Sequence, residues 1–286
     1  MTLAWPKRPD KISRNIPCRP MTRSIYRFIK RMHLFDISAY LFLMIGGLIL
    51  LLKGAEDQGY YWQWFRIPKY LYQIEDGQFI AGPILKGLKI TLNLTWISLI
   101  LTYIIGLVTA LIRLSNSLLA RGIARVYLEI TRNTPLLVQI FFMYFVVAPI
   151  LDIDRFVAGV LALSLFEGSY ASEIYRSGIV AVNKGQWEAS YTLGLSTYQN
   201  YRYIILPQAI RRILPPLTSQ AVSLIKDSSL VSVIAIYEMT MQANEIASET
   251  FLVFEIFFTI AAIYLVLAIT LSQIVAYFEK RYRVVS

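Results

Sequence analysis

The sequence predicts an all-α integral membrane protein, and three observations carry that expectation. The chain has 286 residues, of which 56% are hydrophobic and only 16% charged. Its apolar residues gather into runs such as 90–112 and 256–278 that hold no Asp, Glu, Lys or Arg. About 20 such residues cross a bilayer as a helix. Basic residues stand beside these runs, and joints such as Asp152-Ile153-Asp154 are acidic, as the positive-inside rule describes. The net charge of +10 would suit a nucleic-acid binder, but its spread along the membrane joints argues against one.

The elements follow in order. Residues 1–34 are basic and contain Pro6, Pro9, Pro17 and Pro20, which reads as a cytoplasmic arm. Cys18 and His33 are the single cysteine and histidine, so no disulfide framework or Cys/His metal cluster is expected, and His33 reads as an interfacial side chain. The run ISAYLFLMIGGLILLL (37–52) has too long a charged lead for a secretory signal and no small-residue cleavage site. An extra transmembrane helix over 35–53 is expected instead. Residues 54–82 form an extracytoplasmic segment whose YYWQWF stretch suits the headgroup level better than a binding site.

A transmembrane domain over 83–279 then holds helices at about 84–112, 134–151, 156–180, 213–236 and 251–278, with a cytoplasmic tail at 280–286. Thr134-Pro135 reads as a hydroxyl N-cap followed by proline at the first helical position. ARVYLEITRN (124–133) before it is amphipathic and suits the membrane surface. Residues 238–249 read as an acid-rich outer joint. Six spans starting inside place both termini in the cytoplasm.

Nucleotide chemistry is missing. GPILKGLK (82–89) resembles a phosphate-binding loop, but Leu88 stands where the motif needs lysine. Neither G-x-S-x-G nor H-E-x-x-H occurs. Any ATP must be bound by another chain.

Charges inside the membrane mark a second place of interest. Glu167 lies mid-helix, at a depth where a charge costs roughly 2.5–3.5 kcal/mol, so it faces a cavity or a partner. Lys226-Asp227, followed by Ser228 and Ser229, suggests a broken helix or water-lined passage. A path for a polar solute and a structural role both stand open for Glu167, with Ser164 one turn earlier as a companion. For Lys226-Asp227 a structural ion pair is the favoured reading. Glu173 and Arg176, three apart, pair locally.

The most informative stretch is EASYTLGLSTYQNYRYIILP (188–207), on the cytoplasmic side of this topology. Gly194 allows a sharp turn. Trp187 and Tyr191 recur at helical spacing before it, and Tyr198, Arg202 and Ile205 share a face after it. Ser196 or Thr197 caps the second piece and Pro207 restricts its end. The expected shape is two short amphipathic helices around a glycine turn, a docking knob.

This stretch resembles the E-A-A-x3-G-x9-I-x-L-P pattern of permease subunits in ABC importers. Glu188, Ala189, Gly194, Ile204, Leu206 and Pro207 match at every spacing, and Ser190 replaces an alanine. EITRNTPLLVQIFFMYF (129–145), GSYASEIYRSGIVAVNKGQWEAS (168–190), LPQAIRRILPPL and KDSSLVSVI are similar to the polar amino-acid branch. The likeness runs from about residue 81 to the C-terminus.

The resemblance implies a type I ABC importer permease fold, a five-helix core plus one N-terminal helix. It implies that the 188–207 residues form coupling helices seated in the ATPase subunit, with ATP and Mg bound by that partner and no cofactor in this chain. Two ATPase chains, a second permease chain, identical or homologous, and an extracytoplasmic amino-acid-binding protein complete such importers in the bacterial inner membrane. Within the cavity, Glu167 is the candidate for a solute ammonium. The alternatives are an ion-coupled secondary transporter, which would need no ATPase, and a non-transporting assembly subunit. The absence of an inverted repeat weighs against the first, and mid-membrane polar residues weigh against the second.

Overall fold

A computed structural model describes residues 38–47, 49–50, 53–54 and 59–282, with side chains through Tyr277 apart from Glu75. The N-terminal arm, Cys18 and His33 lie outside the described residues. Residues up to Trp62 form a unit of their own. Within it Ser38–Gly47 is an apolar helix, α1, shorter than a span, and the remainder of the expected first crossing is described only in part.

In the second unit, a helical turn at Pro68–Leu71 leads into strands β1 (Tyr72–Glu75) and β2 (Gln78–Ala81). They pair antiparallel, Tyr72 opposite Ala81 and Glu75 opposite Gln78. Asp76 and Gly77 have φ of 51° and 75°, the primed two-residue turn that Asp-Gly favours. Aromatic composition does not announce this hairpin, whereas the Asp-Gly pair does.

Helix α2 (Pro83–Leu114) starts with proline at its first position, where a missing N–H costs nothing. One face is small and polar: Thr91, Thr95, Ser98, Thr102, Gly106 and Thr109 are buried. Helix α5 (Arg155–Val180) packs against it through Gly168, Ala171 and Ser172. The approach is so close that a Cβ on Gly106 would sit 2.6 Å from the Ala171 Cβ. Small residues allow such contact between helices in lipid, where apolar burial no longer drives association. The bulky residues Trp96, Ile100, Ile104 and Leu111 turn outward instead.

Helix α3 (Leu118–Asn133) is capped by the Ser117 hydroxyl, which accepts from the Ala120 N–H at 3.3 Å. It meets α4 (Leu136–Leu151) at a bend of 111°. Thr134 does not cap α4, contrary to the sequence expectation. It is extended, as a residue before proline must be, and Pro135 itself takes the N-cap position with ψ of 137°. The Thr134 hydroxyl donates backwards to the Ile130 carbonyl at 2.7 Å. The Gln139 amide pins the corner by donating to the carbonyls of Thr131 and Thr134 at 2.7 and 2.9 Å.

The acidic joint 152–154 supplies the next cap: the Asp154 carboxylate accepts from the Val157 N–H at 2.9 Å and starts α5. Helix α6 (Lys184–Thr192) and helix α7 (Thr197–Ile234) follow. Helix α7 contains a π turn at Tyr201–Ile205 and ends as a 3-10 stretch over Ser228–Ile234. The sequence expectation of a helix ended by Pro207 and a new span from 213 is corrected here. The π turn takes up an extra residue just before the proline, so the helix runs on through it.

The stretch 238–249, read as an outer joint, forms helix α8 (Met239–Thr250) from its second residue onward. Its buried cap, Glu238, accepts from the Met241 N–H and the Tyr264 hydroxyl, each at 2.9 Å. Of the acidic residues that suggested a loop, Glu238 is this cap, while Glu245 and Glu249 lie on the helix. Helix α9 (Val253–Tyr282) closes the chain and includes the first residues of the expected tail.

Helices α2 and the Val253–Tyr277 part of α9 are each long and apolar enough to cross a membrane. The pairs α3–α4 and α7–α8 meet the same test when each is taken as a bent span. The core between them falls into three groups, one where α2, α4, α5 and α7 meet, one under α8 and α9, and one beneath α6.

Candidate functional site

The connection between α6 and α7 is built entirely from end-capping chemistry. Asn183 starts α6, its side-chain oxygen accepting from the Gly185 N–H at 2.8 Å. At the other end the Gly194 N–H bonds the Tyr191 carbonyl at 3.0 Å and the Leu195 N–H bonds the Ser190 carbonyl at 3.2 Å. These two bonds, with Gly194 at φ +71°, make a Schellman end. Two residues later a capping box opens α7. The Gln199 N–H donates to the Ser196 hydroxyl, and the Gln199 side chain accepts from the Ser196 N–H at 2.9 Å. Only Leu195 separates the glycine from this cap, so the turn has no slack.

The inner face of this corner is packed. Ser190 is fully buried and its hydroxyl donates to the Trp187 carbonyl at 2.7 Å. The Trp187 ring meets Tyr201 edge to face at 5.3 Å, and Ile205 is buried beside Ala209 and Ile213 on the third core group. The outer face presents Glu188, Ala189 and Gly194 with the exposed side chains of Tyr191, Leu193, Tyr198 and Tyr203. Ile204 is half-buried, while Leu206 and Pro207 stay exposed.

Trp187 and Tyr191 keep their helical spacing on α6, Trp187 half-buried and Tyr191 exposed. One sequence expectation is corrected. Ile205 does not share the exposed face of Tyr198 and Arg202, because the π turn between them rotates the helix register by roughly 100°.

The second candidate lies inside the bundle. Glu167 of α5 is buried at 2% exposure. The Gln220 amide of α7 donates to its Oε2, and Asp227, two turns further along α7, lies within hydrogen-bonding reach of the same carboxyl. Tyr103 of α2 joins this neighbourhood and ties α2 to α7 by donating to the Leu217 carbonyl at 2.9 Å. Ser164 is elsewhere: it is buried between α5 and α2, its hydroxyl donating to the carbonyls of Val160 at 2.6 Å and Ser98 at 3.3 Å.

Lys226 is exposed, and among the described residues no ion pair joins it to Asp227. Adjacent residues on a helix point about 100° apart, so the expected pair gives way to the Glu167–Asp227 approach. Glu173 does pair with Arg176, and also with Arg113 of α2 at 2.6 Å. The sequence alone does not single out Gln220 or Gln139. Gln220 sits seven residues before Asp227, on the same helix face, and that spacing is the signal for it.

Residues 102–284 match the family described as binding-protein-dependent transport system inner membrane component. The chain is similar to the glutamine transport system permease protein GlnP of Escherichia coli (strain K12), at 37% identity over 70% of this chain and 93% of that protein. It is likewise similar to the L-cystine transport system permease protein TcyB of Bacillus subtilis (strain 168), at 40% identity over 70% of this chain and 86% of that one. Among solved structures, a chain of an amino acid ABC transporter crystallised with histidines aligns with a TM-score of 0.66 at 39% identity, covering 70% of this chain and 94% of that one.

Proposed function

The chain belongs to the binding-protein-dependent transport system inner membrane component family, as a permease subunit of an ABC importer, and on that premise we propose that it moves a polar amino acid and takes its drive through the α6–α7 corner. The glutamine and cystine permeases among its relatives support the cargo class. The observation that carries the coupling role is the corner itself, a rigid, doubly capped turn with Glu188, Ala189 and Gly194 outward and Ser190 and Ile205 locked inward. Such a corner transmits displacement of a docked ATPase to α5 and α7 as a lever, where a slack loop would absorb it.

In this reading the corner faces the cytoplasm of a bacterial inner membrane, and both termini lie on that side. A dimer of ATP-binding subunits docks there and holds the ATP and Mg. A second permease chain, identical or homologous, lies alongside, and an extracytoplasmic amino-acid-binding protein delivers the solute. Tilting of α5 against α7 acts on the buried Glu167 and on its neighbours Gln220 and Asp227. Glu167 is assigned to the ammonium of the solute, with Asp227 beside it. The geometry gives Ser164 and Lys226 a lesser part in that pathway.

Two measurements in proteoliposomes test the reading. Glu188→Lys reverses an exposed charge on the outer face and is expected to leave the permease in the membrane while abolishing solute-stimulated ATP hydrolysis. Normal stimulation in that variant would overturn the docking role. Glu167→Gln keeps a partner for Gln220 but removes the charge, so uptake is expected to fall with an altered preference among amino acids. Unchanged uptake and preference would remove Glu167 from the solute path without touching the docking role.

A further inference from the structure

A cavity of about 690 Å³ opens between the end of α2, the polar face of α3 and the later half of α5, and five arginines line it: Arg113, Arg121, Arg125, Arg132 and Arg176. Its volume falls in the roughly 300–1,000 Å³ range of small-ligand sites. Glu173 occupies two of the five, Arg113 and Arg176. Among the described residues no carboxylate lies within ion-pair distance of Arg121, Arg125 or Arg132. The one acidic side chain of the lining, Glu129, accepts instead from the Asn133 amide at 3.0 Å. Three like charges held together in this way call for an anion.

The chemistry of that anion follows from α3. Arg121, Arg125 and Arg132 recur at helical spacing on one face. On the opposite face Leu119, Ile123, Val126 and Ile130 are 77%, 64%, 59% and 61% exposed. In a chain that crosses a membrane, such an apolar ridge lies against acyl chains. The 111° bend into α4 sets α3 across the direction of that helix, so α3 lies along the membrane surface. Its arginine face is then at phosphate depth. Arg132 sits over the Tyr170 ring, 5.1 Å from its centre, and a guanidinium can grip phosphate oxygens through two parallel N–H groups.

We propose that this cavity binds the phosphodiester headgroup of an anionic phospholipid, of the phosphatidylglycerol type, from the leaflet beside α3. Three guanidinium groups surround the phosphate, and the apolar ridge on the other face of α3 holds that helix at the membrane surface. Basic pockets between membrane helices suit such headgroups.

The test places the full chain in nanodiscs of phosphatidylcholine with a small fraction of phosphatidylglycerol and measures which lipid remains bound, by native mass spectrometry and by titration with a fluorescent phosphatidylglycerol. The wild type is expected to retain phosphatidylglycerol selectively. At roughly fivefold per arginine near an anionic phosphate, Arg121→Gln with Arg125→Gln should weaken binding about 30-fold. Arg121→Lys with Arg125→Lys should keep most of the affinity, and Lys69→Gln, an exposed cation on the segment leading to the far end of α2, should change nothing. Melting of the glutamine variant in pure phosphatidylcholine shows whether it is folded. If it is not, the lysine pair and the wild-type titration decide alone. Equal retention of both lipids by the wild type, or undiminished binding by a folded glutamine variant, overturns the proposal. Displacement of the lipid by inorganic phosphate at millimolar concentration also overturns it, since the site would then take the free anion.

Discussion

Replacement of Gly194 separates two reasons for a glycine at the α6–α7 corner. Its φ is +71°, and a Cβ built there meets no atom within 4 Å. A side chain is therefore accommodated in space, and the cost is confined to the backbone. Holding an alanine in the left-handed region costs about 1–2 kcal/mol, against which a stiffer unfolded chain recovers about 0.4–1 kcal/mol. The net for Gly194→Ala is about 1 kcal/mol, which opens the corner roughly fivefold more often. Gly194→Asn should cost close to nothing, because asparagine tolerates this conformation. Gly194→Val should cost more than alanine. Hydrogen exchange at the Gly194 and Leu195 amides reads the opening directly, through their bonds to the Tyr191 and Ser190 carbonyls at 3.0 and 3.2 Å. Solute-stimulated ATP hydrolysis in the reconstituted transporter reads its consequence. Both are expected to rank glycine with asparagine, then alanine, then valine. If asparagine were worse than alanine in ATPase stimulation while exchange stayed at the glycine level, side-chain size against a partner would be the constraint and the backbone argument would fail.

Two further substitutions probe the packing that supports the corner. Gly178→Ala places a Cβ 2.2 Å from the Ile213 Cγ1 where α5 meets α7; overpacking of this kind costs about 1–3 kcal/mol, so the melting temperature should fall, and Ile213→Ala, which removes that Cγ1, should recover part of the loss. Ser190→Ala should change stability by less than about 1 kcal/mol and leave uptake intact, because the buried hydroxyl only returns to the Trp187 carbonyl of its own helix.

Much of the corner was legible because its determinants are local. The Schellman end needs a glycine, and the capping box needs Ser196 and Gln199 three apart, all within a few residues of sequence. The helices 83–114 and 253–282 were legible for a different reason, their length and apolarity. The inner carboxylate group was legible only in part. Glu167 stood out by its charge, but its partners come from another helix, and Gln220 carries no charge to mark it. The expected Lys226-Asp227 pair failed because adjacency in sequence separates side chains around a helix.

A further difference between expectation and structure lies at Pro207. Pro149 and Pro207 each follow a π turn, at Met143–Val147 and Tyr201–Ile205. In both, the N–H two residues beyond the widened turn is the one proline lacks, and the N–H just before it, of Ala148 or Leu206, reaches back five residues to the carbonyl of Met143 or Tyr201. The wider turn makes room for the ring where an α-helix would clash with it. The helix survives and the face it presents rotates. Pro215 and Pro216 lie inside α7 without a π turn beside them. Treating Pro207 as an end severs the corner from α7 and places Ile205 on the wrong face. Treating it as a rotation turns Ile205 into the core and makes the corner and the Gln220 segment one continuous lever. From the capping box onward, one helix then runs to Gln220, whose amide bonds the carboxylate of Glu167 on α5.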